Sequence, residues 1–422
     1  MCSLALPPPG GWPFDLALVP DPAYLVGGAV RDALLGRPRH PLDLDIVVPG
    51  DAVAVARRLA NHHGGGFVVL DPKRQIARVV LPEATLDVAR QVGPDLKTDL
   101  GRRDFRVNAL AYDLHQGLLL DPLGGVADLA AGRLCMVSSQ NLAADPLRLL
   151  RAYRQAAQLQ FTLEAETRAA LGHLAPHLGR VAPERVQTEL ITLLLQPQAA
   201  PWLNLAWADG VLQPWLPVLR ADGLTRLAQL EATDFAQLPA EIATALTKPL
   251  RHGRPTWVLV KLACLLPADA TVFLPILEKL RFSRAEIQYL HRLGHGQLAM
   301  AALETAPLAD VLARFQMFQA ADSAFPGLAW LSQAAGRCPH LLPILLEHYR
   351  NPRDPVAHPN PLVTGQDLIE HLHLQRGPVI GELLADLARA HAQGKIATPA
   401  EALALAQHWC PQKAVPPPPA IP

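Results

Sequence analysis

Cysteine is scarce and scattered in this chain of 422 residues. The five thiols, Cys2, Cys135, Cys264, Cys338 and Cys410, are odd in number, and no two lie close together. That fits neither a disulfide framework nor a thiolate zinc site, and it suits reduced thiols in a cytosol. Charge of one sign is lacking too: 38 Lys and Arg balance 38 Asp and Glu. Any nucleic-acid surface therefore has to be a local basic patch. No apolar run approaches the ~18 residues of a membrane span. The proline-rich start, Met1 to Trp12, lacks the basic stretch and apolar core of a secretory signal. A cytoplasmic chain with no membrane partner is the expectation. No repeat of fixed period is found.

What is present divides the chain in two. The first part alternates strand and helix signals. Tyr24 to Val26 reads as a strand ending in Gly27-Gly28, Ala29 to Leu35 as a short helix, and Leu42 to Val48 as a strand. Ala52 to His62 reads as a helix stopped by Gly64-Gly65-Gly66, followed by strands over Phe67 to Leu70, Ile76 to Leu81 and Thr85 to Ala89. The mixture predicts a sheet with flanking helices. Beyond about residue 135, Leu- and Ala-rich segments such as Leu147 to Leu159, Glu164 to Leu174 and Pro183 to Leu195 carry helical periodicity. An α+β head followed by an all-α remainder is the expected fold class. A proline-rich stretch, Asn351 to Pro361, precedes a last helical unit, and the Pro-rich end after residue 412 is expected to be disordered. The helical part contains no His-Asp doublet, so an appended metal phosphohydrolase is not expected. The sixteen histidines, His62-His63 and His371/His373 among them, lack metal spacing with carboxylates.

Asp43 and Asp45 interrupt an otherwise apolar strand two residues apart, so both carboxylates leave the same face. Two readings stand: solvated carboxylates at a strand end, or a pair gripping a hard divalent ion such as Mg²⁺. Asp87, in the strand-like Thr85 to Ala89, is a candidate third carboxylate or a surface aspartate. Gly27-Gly28, with Arg31-Asp32 behind them, form either a plain strand-to-helix turn or a phosphate cradle at a helix start. The cluster Arg102-Arg103-Asp104-Phe105-Arg106-Val107-Asn108 suits a network around a triphosphate, or a solvated basic turn. Asp145-Pro146 reads as a helix N-cap with proline at the first helical position. Arg148, Arg151 and Arg154 then recur on one face of that helix.

Together these stretches resemble the class II tRNA nucleotidyltransferase and poly(A) polymerase family. Gly-Gly-Ala-Val-Arg-Asp at 27–32 with the Asp-x-Asp pair is similar to the family's first motif, and 102–111 to its second. Asp121-Pro122-Leu123-Gly124-Gly125 with Asp128-Leu129 is similar to the third, Asp145-Pro146-Leu147-Arg148 to the fourth, and Glu184-Arg185 with Glu189 to the fifth. Pro361 to Leu368, Gly377-Pro378 and Gly394-Lys395-Ile396 resemble its C-terminal segment.

The resemblance implies a polymerase-β-like head (1–135), a helical neck (136–200), a body (201–350) and a tRNA-binding tail (351–412), with 413–422 beyond. It implies two-metal transfer of nucleotides from CTP or ATP to the 3′ end of tRNA. In that scheme Asp43 and Asp45 are metal ligands and Asp43, Asp45 and Asp87 catalytic. Gly27, Gly28, Arg31, Asp32, Arg103, Asn108, Asp145, Arg148, Arg151 and Arg154 hold the nucleotide. Asp145 and Arg148 would act as a protein template that accepts cytosine or adenine through the exocyclic amino group. Basic candidates for RNA contact are Arg180, Arg185, Lys395 and Arg389. Two departures stand out. Ala144 occupies the usual place of a glutamate. Only nine residues, Gln91 to Asp99, separate the third-carboxylate strand from the second motif, as in the shortened loop of the CC-adding branch. The alternatives are poly(A) addition to general RNA and a catalytically silent RNA-binding homologue. Oligomeric state is left open.

Overall fold

The computed structural model describes residues 11–37, 41–233, 235–250, 253–267, 269–305 and 310–413; the expected disordered end beyond 413 lies outside them. The chain forms two compact units divided after Pro217. The expected divisions at 135 and 200 fall inside the first.

Among the described residues, the first unit carries a seven-stranded sheet: β1 (Tyr24–Val26), β2 (Leu42–Val48), β3 (Gly66–Asp71), β4 (Ile76–Val80), β5 (Ala84–Arg90), β6 (Ala111–Asp113) and β7 (Leu119–Leu120), in the order β3-β4-β5-β2-β1-β6-β7. The β2–β5 pair is parallel and the other neighbours antiparallel. Alternation sets the faces. Leu44 and Ile46 of β2, Leu86 and Val88 of β5, and Ala77 and Val79 of β4 are buried on one side. Helix α1 (Gly28–Leu34) follows β1. Helix α2 (Ala52–His63) covers the buried side with Val55, Ala56, Leu59 and Ala60, at the i, i+3, i+4 spacing of an apolar stripe. Asp51 caps its start by accepting from Ala54 N–H, and Gly64 in the left-handed region ends it.

Short helices α3 (Leu96–Leu100) and α4 (Gly125–Ala130) lead from the sheet to α5 (Ser139–Ala144), α6 (Leu147–Leu159), α7 (Ala165–Leu174), α8 (Pro183–Leu194) and α9 (Ala200–Ala208). A two-stranded ladder, Arg133–Leu134 with Thr162–Leu163, ties the start of this helical part to the end of α6. The expected N-cap at Asp145 is corrected. Pro146 occupies the cap without a side-chain bond, because both Asp145 carboxylate oxygens accept from Arg185 instead, at 3.2 and 2.9 Å.

In the second unit the described elements are helices, from Ala221–Ala232 to Pro399–Lys413. Its last three, Gly365–Leu372, Pro378–Ala392 and Pro399–Lys413, share a small core around Leu368, Leu383, Leu387, Ala402 and Ala406. Thr364 and Asp367 form a reciprocal capping box at the start of the first of them.

The Asp121 carboxylate accepts from the N–H groups of Gly125 and Val126 at 2.8 and 2.9 Å, seeding α4. A Cβ at Gly125 would lie 2.3 Å from the Arg106 carbonyl oxygen. Gly125→Ala is therefore expected to lower the urea-unfolding free energy by about 1–3 kcal/mol; an unchanged midpoint would show that this close approach is not needed.

Candidate active site

A cavity of about 350 Å³ opens where β1, α1, β2 and α6 meet. Gly27, Gly28, Arg31, Asp32, Asp43, Asp45, Arg103, Asn108, Arg151 and Arg154 all line it. The sequence scatters these residues over 128 positions' span; the sheet register and α6 gather them. Gly27 is central to the packing. Its φ of 77° and ψ of −135° suit glycine alone. An added Cβ would stand 3.0 Å from an Arg103 guanidinium nitrogen and 3.5 Å from an Asp45 carboxylate oxygen.

Asp43 and Asp45 project together from the open face of β2. In-register pairing sets Asp45 beside Asp87 of β5, and Asp87 beside Arg78 of β4. Arg78 holds Asp87 bidentately at 2.7 and 2.8 Å. Asp87 thus neighbours the pair without lining the cavity. Solvent reaches Asp45 through the cavity mouth, but the surrounding walls desolvate it. That cost, added to the charges of Asp87 and Asp43 and opposed by Arg103, raises its carboxyl to about 6.

Behind the cavity lies a buried polar network. Asp104 Oδ2 accepts from Arg151 Nε and a terminal guanidinium nitrogen at 3.1 and 3.0 Å, while Oδ1 accepts from Asn108 at 2.9 Å and from the Phe105 N–H at 2.9 Å. Asn108 also donates to Gln155 at 2.8 Å and accepts from Arg31 at 2.6 Å. Arg31 in turn binds Asp32. Glu189 of α8 accepts from Arg154 and Arg151, and Arg154 donates to Gln158 at 2.9 Å. Burial works against the Asp104 charge, but Arg151, Asn108 and the Phe105 N–H outweigh it and hold the carboxyl below its ordinary value. The Arg103 Nε–H is buried without a hydrogen-bond partner, while one terminal guanidinium nitrogen lies against Gly27 and the other faces Asp99.

Asp145 and Arg148 do not line this cavity. They line a second, of about 530 Å³, with Arg74, Arg102, Asn141, Ala144 and Arg185. Arg148 donates to the Asn141 carbonyl at 3.0 Å. A third cavity, which Arg148 shares with Arg103, runs between them and is bordered by Lys73, Arg74, Arg90 and Arg102. Of the RNA candidates, Arg180 and Lys395 are exposed, Arg185 pairs with Asp145 and Arg389 with Asp386. The sequence reading missed Arg78, Gln155, Gln158 and Trp12, a buried indole in the cavity wall whose N–H has no partner. Strand register would have been needed to find Arg78; Gln155 sits one residue beyond the arginine stripe.

Among the described residues, no three His, Cys, Asp or Glu side chains converge as a metal cage. The donor set that exists, two carboxylates on one face of a strand and lining one cavity, suits a hard divalent cation completed by other oxygen ligands. No described helix is long and apolar enough to cross a membrane.

Residues 23–135 match the poly A polymerase head domain, and residues 250–406 match domain 2 of tRNA nucleotidyltransferases. A CC-adding tRNA nucleotidyltransferase of Synechocystis is 45% identical over 94% of this chain and 95% of its own. An A-adding tRNA nucleotidyltransferase of Deinococcus radiodurans is 35% identical over 92% and 96%. The fold is also that of the Thermotoga maritima CCA-adding enzyme solved with tRNA, at a TM-score of 0.67 and 24% identity over 92% of this chain and 91% of that one.

Asp104→Ala would take from Arg151 one of its two carboxylates and leave Asn108 and the Phe105 N–H without their acceptor; because Arg151 is a third exposed and keeps Glu189, the expected cost in urea unfolding is about 1–3 kcal/mol. The folded Asp104 carboxyl lies below its unfolded value. Its stabilisation is therefore complete above the unfolded value and is lost as pH falls through the folded one. Below about pH 4 the thermal midpoint of the wild type should fall more steeply than that of Asp104→Asn. Parallel curves would show that Asp104 carries no charge in the fold.

Proposed function

Because the chain belongs to the tRNA nucleotidyltransferase family, we propose that it adds nucleotides to the 3′ end of tRNA, and that its product is CC from CTP. The observation that carries the activity is the cavity that joins Asp43 and Asp45 to Gly27, Gly28 and Arg103. Asp43 and Asp45 hold Mg²⁺ through oxygen, the chemistry that the pair's geometry suits. When bound, magnesium supplies polarisation of the terminal hydroxyl and charge relief on the leaving pyrophosphate.

The chain's own groups do the rest. Gly27 and Gly28 let backbone approach the phosphates without a side chain in the way. Arg103, whose terminal guanidinium nitrogen lies against Gly27, donates to phosphate oxygen. Arg151 and Arg154, fixed by Asp104 and Glu189, present positive charge at a set position rather than as mobile surface groups. Arg31, Asp32 and Asn108 brace that wall from behind. Asp87 is a catalytic neighbour whose position Arg78 fixes. Asp145 and Arg148 select the base by an acceptor and a donor, and uracil and guanine fail because each presents a carbonyl where Asp145 needs an amino group.

The CC product rests on two observations. The connection from β5 to the second motif is short and ordered: Gln91 to Asp95 lead straight into α3, where Asp99 accepts from Val92 N–H at 3.0 Å. A loop so tied has little room to reshape the base pocket for ATP. The 45%-identical relative is CC-adding.

With tRNA that lacks its CCA end, CTP alone is expected to give two added residues, and ATP is expected to give no third. A full CCA end, or A addition alone, would overturn the CC reading. Asp45→Ala is expected to cut incorporation by roughly 10³-fold or more with tRNA retention on filters unchanged. Undiminished incorporation would remove the metal-ligand role.

A further inference from the structure

The sheet face that carries the carboxylates does not end with them. Register continues across it from Asp45 to Asp87, Arg78 and Val68 in one row, and from Asp43 to Thr85 and Val80 in the next. Helix α2 covers only the opposite face. Register puts Val68, 47% exposed, and Val80, 49% exposed, on the open face. Leu70, also 47% exposed, stands beside them at the β-bulge where Val69 pairs with Ala77 but Asp71 with Ile76. Large aliphatics left this open beside a charged site mark a surface that something covers.

Arg78 stands between the patch and the carboxylates. Its guanidinium is 41% exposed, with Nε and one terminal nitrogen committed to Asp87 and the other terminal nitrogen free to donate. Adjacent strands lie about 4.8 Å apart, so Arg78 sits on the order of 10 Å, and Val68 about 14 Å, from the β2 carboxylates. Lys73 and Arg74, on the turn that joins edge strand β3 to β4, extend the positive charge.

We propose that this face is the subsite for the 3′-terminal nucleotides of the RNA to be extended, with Arg78 on a backbone phosphate and Val68, Leu70 and Val80 beneath ribose and base. The inference rests on the proposed activity. The attacking hydroxyl must lie at Asp43 and Asp45, so the strand that bears it must leave across an adjoining surface. This face is continuous with that point, positive along its margin and apolar where unstacked bases would lie. A polyanion with apolar base faces matches both features; a membrane or an acidic peptide matches only one. The same face explains an otherwise costly exposure on an edge strand.

The test uses Val68→Ser/Leu70→Ser/Val80→Ser in the full chain. All three side chains are about half exposed, so the thermal midpoint is expected to fall by no more than a few degrees. KM for tRNA lacking CCA is expected to rise roughly tenfold, with KM for CTP unchanged. In parallel, wild type is irradiated with tRNA carrying 4-thiouridine at its 3′ terminus; the crosslink is expected within residues 66–80. Unchanged KM for tRNA together with crosslinks elsewhere would overturn the subsite. So would a shift from dimer to monomer in the variant with tRNA kinetics intact, which would make the face a contact between copies. A wild-type chain that extends no tRNA at all would instead remove the activity beneath the proposal, and the proposal with it.

Discussion

Asp104 is a fully enclosed carboxylate, and the arrangement of the site follows from the need to satisfy it. An unpaired charge in such a place would be expelled or neutralised. Here a bidentate guanidinium, an amide and a backbone N–H share it. Those donors come from the segment after α3 and from α6, two parts of the chain distant in sequence. Meeting at one carboxylate, they fix the helix against the sheet. Arg151 and Arg154 line the same cavity as Asp43 and Asp45, and their contacts with Glu189 of α8 hold them from the other side. Placing two arginines this firmly costs little at the moment of binding, since their side chains are already ordered.

Much of this was legible in the residues. β2 runs over the predicted Leu42 to Val48 and α6 over the predicted Leu147 to Leu159, because alternation and helical periodicity are local signals. The pair Asp43 and Asp45 was legible for the same reason: a strand has a period of two. What was not legible depends on partners distant in sequence. Asp145 followed by proline obeys the local rule for a helix cap, yet the carboxylate belongs to Arg185, forty residues on. A charged partner outbids a backbone N–H. Arg78 carries no motif, and its place next to Asp87 exists only through antiparallel register. The short ladder between Arg133–Leu134 and Thr162–Leu163 is two residues deep, too short for a pattern to announce it.

The geometry also separates two tasks that the family resemblance merges. The carboxylates rise from the middle of a sheet, between β1 and β5, where pairing on both sides limits movement. Asp145 lies in the link from α5 to α6 and lines a different cavity, with Arg103 and Arg148 bordering the space between. On the proposed reading, chemistry is held by the sheet and choice of base by helices, so a change in one need not disturb the other. The open face beyond Asp87 adds a third region for the strand being extended, reached along the rows of the sheet.

Ala144 bears on the second task. A glutamate there would place another carboxylate next to Asp145; alanine leaves orientation of Asp145 to Arg185. That arrangement is compatible with base recognition. An ionised carboxylate offers about four lone-pair sites, and the fork of Arg185 uses two of them, one on each oxygen. The outer sites stay available to an exocyclic amino group, and the Asp145 side chain remains 33% exposed. Arg185 therefore sets the plane of the carboxylate without consuming its capacity. A neutral partner would set the plane less firmly, and a second carboxylate would repel it. The fourth and fifth motifs meet at this ion pair, which gives a physical reason for Glu184-Arg185 to accompany Asp145-Pro146 in one chain.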